Sequence, residues 1–138
     1  MKKIENINKF TYGILVILLL NSSFAVLEGI WNTVQNDCNE SCLTFSTFLI
    51  IWGSVGIVSG VFIFKKYIFA LWGGSLFFLL QALGISTSEF SFHLNYGLNL
   101  FVSVGSQQLI IFINILAIIA VIILISAFVS EYQKYDNI

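Results

Sequence analysis

The chain has 138 residues, of which 58% are hydrophobic and 9% charged, with six lysines, no arginine and seven acids. A soluble domain carries about 25% charged residues, so this chain cannot clothe a water-facing surface. Its near-neutral balance also excludes nucleic acid as a partner, which needs a basic face. The composition points to an integral membrane protein whose first partner is the lipid bilayer.

A helix crossing the bilayer needs about 20 apolar residues. The first segment that qualifies runs over about 10–31, behind Lys2, Lys3 and Lys9. Its start has the form of a secretory signal, with Ser23-Phe24-Ala25 as a small-x-small cleavage pattern. The apolar run continues past Ala25 through VLEGIW, so the span is expected to stay uncleaved. A polar loop follows, with the sequence NDCNESC and the only two cysteines, Cys38 and Cys42. The second span covers about 43–64 and carries Gly53, Gly56 and Gly60, a small-residue stripe that permits close helix approach. Only KKY separates it from the third span, about 67–85, where Gly73 and Gly74 supply further small residues for packing. The second outer connection, 86–108, alternates apolar residues from Phe90 to Val104, which is the period of a strand. An amphipathic interfacial helix is the competing reading, and extended structure is preferred. The fourth span covers about 109–129. The expected fold is therefore an all-α membrane protein, a four-transmembrane-helix bundle in one domain over 1–138. A short extended or interfacial segment is expected in its second outer connection.

Lysine placement predicts orientation. All six lysines flank the bundle on one side, at the termini and in the Lys65–Lys66 turn, and the first and third connections have none. The positive-inside rule places both termini in the cytoplasm and the protein in a plasma (bacterial inner) membrane. Trp31, Trp52 and Trp72 are within reach of the interfaces, where indole rings are favoured.

On that orientation Cys38 and Cys42 face an oxidising compartment, where two cysteines normally pair. A disulfide that staples the loop is the favoured reading. The outward cysteine pair on four spans also resembles the disulfide-generating quinone reductases of the DsbB and vitamin K epoxide reductase classes. That resemblance implies a thiol oxidoreductase acting through Cys38 and Cys42. It departs from this chain in two respects, since the redox pair there is Cys-x-x-Cys and a second pair relays the electrons. GIWNTVQNDCNESC is also similar to the Gly-Leu-Trp and two cysteines of the claudin-like first outer loop, which is several times longer.

Polar residues inside spans are costly and normally face the bundle interior. Asn21, near the midplane, and Glu28, Gln81, Gln107 and Asn114, in the outer half of the membrane, are expected to form one outward-opening cluster. Interhelical glue is favoured for it over a ligand site. His93, Asp37 and Glu40 fall short of the four ligands of a zinc site, so no metal and no cofactor are expected. No catalytic set is recognisable. The expected function is that of a non-enzymatic subunit or accessory component, bound to other membrane proteins or to itself as a homo-oligomer. The alternatives are a small oligomeric channel or transporter using the polar cluster, and the thiol oxidoreductase.

Overall fold

The computed structural model describes residues 4, 7, 9–34, 40–87, 91–92, 98, 100–106 and 108–136, with 91–92 and 135–136 described by backbone alone. Within these residues the chain is mostly helical. The order is α1 (Lys9–Val34), α2 (Glu40–Phe64), α3 (Ala70–Gln81), β1 (Leu83–Thr87), β2 (Ser91–Phe92), β3 (Phe101–Ser106), β4 (Leu109–Asn114) and α4 (Ile115–Asp136). Three helices are long and apolar enough to cross a membrane, namely α1, α2 and α4 over Ile115–Lys134.

The third expected span is corrected. Its helix has 12 residues, about 18 Å at 1.5 Å per residue. A hydrocarbon core is about 30 Å thick. Beyond Ala82 the chain becomes β1. The fourth expected span is corrected in the same way, because its first six residues, LIIFIN, form β4 before α4 begins. Periodicity cannot separate a short apolar strand from a stretch of buried helix. Here the decision lies in pairing. β-branched isoleucines favour the pleated state, and the alternating residues of 101–106 supply a strand for them to pair with.

The sheet is antiparallel, in the order β2-β1-β4-β3. A two-residue connection joins Ser106 to its partner Leu109, and the ladder ends at Phe101 opposite Asn114. The all-α expectation is thus replaced by helices plus a small sheet. Where residues 86–108 are described, they are extended in β2 and β3 rather than helical.

The α2–α3 turn is built from sequence-local contacts. Lys66 takes a left-handed backbone, φ 64°. Its N–H bonds the Ile63 carbonyl and the Tyr67 N–H bonds the Phe62 carbonyl, at 2.8 and 2.9 Å. This is the Schellman pattern of helix termination, and its usual apolar clasp is present as the Phe62–Tyr67 ring contact. The Ile4 N–H reaches the Lys66 carbonyl at 2.6 Å, which ties the N-terminal segment to the turn.

The main core lies in the half of the bundle nearest this turn, around Leu18, Ile63, Leu71, Phe77, Ala120 and Leu124. Glycines let the helices close on one another. Gly53 and Gly56 on α2 lie against Ser22 of α1, and Gly60 lies against Leu19. Gly73 faces Ser59, and Gly74 sits among Leu18, Ile63 and Leu124. Past Gln81 the third helix is gone. α1 and α2 continue as a pair, with Ala25 and Leu49 buried between them.

Candidate functional site

Both switches from helix to strand fall at one level, and a polar layer marks it. Asn21 projects from the middle of α1, Gln81 ends α3, and Asn114 ends β4. Each is 1% exposed. The Asn21 carboxamide clamps the backbone of Leu98, accepting from its N–H at 2.8 Å and donating to its carbonyl at 3.3 Å. The same Nδ2 donates to Gln81 Oε1 at 3.3 Å. The clamp fixes which way the Asn21 amide points, because only its oxygen can accept from Leu98. Asn21 in turn fixes Gln81, whose oxygen must face the donor. Gln81 Nε2 is then left buried without a hydrogen-bond partner among the described residues, as is Trp52 Nε1.

Asn114 serves two elements. Its N–H donates to the Ala82 carbonyl at 2.9 Å, closing β4 against the end of α3. Its Oδ1 accepts from the Ala117 N–H at 3.1 Å, which caps the first turn of α4. The adjacent Ile115 N–H bonds the Leu100 carbonyl at 2.9 Å. Five segments of the chain are therefore joined at one depth by amide groups.

Glu28 is not part of this layer. It lies seven residues above Asn21 on nearly the same helical face, yet it is exposed. The short third helix contributes to this, since α3 ends at the level of Asn21 and so does not extend along α1 to Glu28. Gln107 and Cys38 lie outside the described residues. Cys42 stands in the first turn of α2, and no described cysteine is a free thiol. Trp52 is half-buried against the core, stacked between Phe48 and Phe77 at 6.2 Å from each.

Carboxamides neither titrate nor attack, so the layer can bind and orient but offers no acid, base or nucleophile. Among the described residues no three His, Cys, Asp or Glu side chains gather as a metal site. Two features had no sequence signal. The Leu98 backbone is anonymous in sequence, and Glu131, just past the last apolar run, reads as a solvated flank but is 4% exposed.

The chain was compared with family models, curated proteins and solved structures, and none matches.

Proposed function

We propose that the chain is a non-enzymatic integral membrane protein, a subunit or accessory component of a membrane complex, that docks a protein partner on its sheet. The observation that carries this reading is an apolar sheet face beside a strand edge that is unpaired among the described residues. Residues paired across an antiparallel ladder share a face. Leu83, Ile85, Val102, Val104, Leu109 and Ile111 all fall on one side by register, and all are exposed, Val104 at 60% and Leu83 at 58%. Among the described residues β3 is the last strand of the sheet.

Depth makes the edge consequential. The sheet begins where α3 ends and α4 starts, and the 20 residues of the apolar stretch of α4 are about 30 Å long, so its apolar face stands at the outer boundary of a hydrocarbon core about 30 Å thick. Lipid suits the apolar face, but it offers nothing to strand-edge N–H and C=O groups. In an antiparallel pair every second residue turns its backbone groups away from its neighbour. An extended segment of another protein, added beside β3, satisfies those groups and packs alternate side chains on the face.

A photo-crosslinking residue at Val104, tested in native membranes, is expected to give one discrete protein adduct. The same residue at Ile119, exposed on α4, is expected to give lipid adducts only. Lipid adducts alone at both positions would sink the docking reading. An adduct of twice the chain mass would make the partner a second copy.

A channel or transporter would draw on the polar layer. With Glu28 outside it, that layer consists of amides, which favours glue. For the loop we propose a Cys38–Cys42 staple facing outward, with both termini in the cytoplasm. An impermeant maleimide applied to intact cells should label the protein only after reduction. Labelling without reduction, or in neither state, would argue against the staple or the orientation respectively.

A further inference from the structure

A cleft of about 560 Å³ opens at the lysine-bearing end of the bundle, far from the sheet. It lies within the range of about 300–1,000 Å³ usual for small-molecule sites. Ile4 and Ile7, the start of α1, the first turn of α3 and one face of α4 line it. Its chemistry is graded along α4. Along α4 the lining runs from Ile122 and Ile123 through Ser126, one turn on, to Ser130, Glu131 and Lys134. Thr11 faces them from α1. The polar end of the cleft lies where the apolar run of α4 ends, at Lys134, so it stands at headgroup depth if α4 crosses the membrane.

The charged pair gives the cleft its selectivity. Glu131 is 4% exposed, whereas the Lys134 side chain is 44% exposed, and the two form an ion pair. A buried acid beside an accessible base complements a headgroup that carries both charges. An ammonium with N–H donors can bond the carboxylate, while a phosphate can bond the lysine. A wholly anionic headgroup would bring its charge against Glu131. A quaternary ammonium has no N–H to donate. We infer that the cleft binds a zwitterionic phospholipid with a primary ammonium, its headgroup at Glu131 and Lys134 and an acyl chain along α4 toward Ile122. The inference needs the chain to sit in a bilayer, and is independent of the docking role of the sheet.

Native mass spectrometry of the detergent-solubilised protein, titrated with defined lipids, tests this. Phosphatidylethanolamine should be retained about tenfold better than phosphatidylcholine, the size of one charge-assisted hydrogen bond. Phosphatidylglycerol should be the weakest of the three. Glu131→Gln should erase the preference for phosphatidylethanolamine over phosphatidylcholine. Ile123→Trp fills the cleft without touching a charge, and should abolish retention of phosphatidylethanolamine while the thermal unfolding midpoint is kept. Equal retention of the two zwitterionic lipids by the unaltered protein would overturn the inference. So would tightest binding of phosphatidylglycerol, or full retention by a folded Ile123→Trp variant.

Discussion

Asn21→Leu is expected to be among the most damaging single changes in the chain, costing about 2–5 kcal/mol of stability. The substitution keeps the volume roughly constant and removes every polar atom. Three groups then lose their partner, namely the Gln81 carboxamide oxygen and both backbone groups of Leu98. Each interhelical bond of this kind is worth about 0.6–2 kcal/mol in a membrane, and a buried group left unpaired costs about 1–3 kcal/mol. The effects overlap, so they do not add in full. Gln81→Leu removes one of the three bonds and should cost less. The double variant should be less damaged than the two single losses combined, because the Asn21–Gln81 bond is counted in both. Glu28→Gln sets the contrast. Its side chain emerges exposed above the end of α3, so its cost should stay within about 0.5 kcal/mol. Thermal unfolding in mild detergent measures all four. A Glu28→Gln loss as large as that of Asn21→Leu would refute this account of the layer.

The polar layer was partly legible because amides are expensive inside apolar runs, and such residues seek one another. Asn21 and Gln81 stood out in sequence for that reason, and the fold brings them into contact. Glu28 shared their helical face, but face is not the same as neighbour. Its exposure depends on where α3 stops, and an apolar run does not mark the point at which a helix becomes a strand. The sheet was hidden for the same reason. LIIFIN has the hydropathy of a span, and its strand character follows from a partner strand many residues earlier in the chain. The stacking of Trp52 on Phe48 and Phe77 was not legible either, because a preference of indoles for interfaces says nothing of which rings they meet. Glu131 follows an apolar segment, as solvated charges do, and its burial arises from tertiary packing that a one-dimensional run does not show.

At Gly56, where α2 meets both α1 and α3, a single methyl group should do marked harm. A Cβ there would collide with Ser22 Oγ on α1 and stand 2.8 Å from the ring of Phe77 on α3. Neither neighbour can yield easily. Ser22 Oγ is held to the Leu18 carbonyl at 2.6 Å. Phe77 is fully buried, stacked on Trp52 and edge-on to Phe78. Gly74 is the control. Its Cβ would meet only the ends of Leu124, Leu18 and Ile63, at 3.2–3.3 Å, and such side chains shift by tenths of an ångström at little cost. In both cases alanine gains about 1 kcal/mol in helix propensity. At Gly74 that gain should offset the crowding and leave stability within about 1 kcal/mol of the original. At Gly56 the overpacking reaches three helices, and the net loss should be about 3 kcal/mol. The two variants, unfolded side by side in the same detergent, give the answer directly. Equal midpoints for Gly56→Ala and Gly74→Ala would mean that α1, α2 and α3 do not close on one another at Gly56.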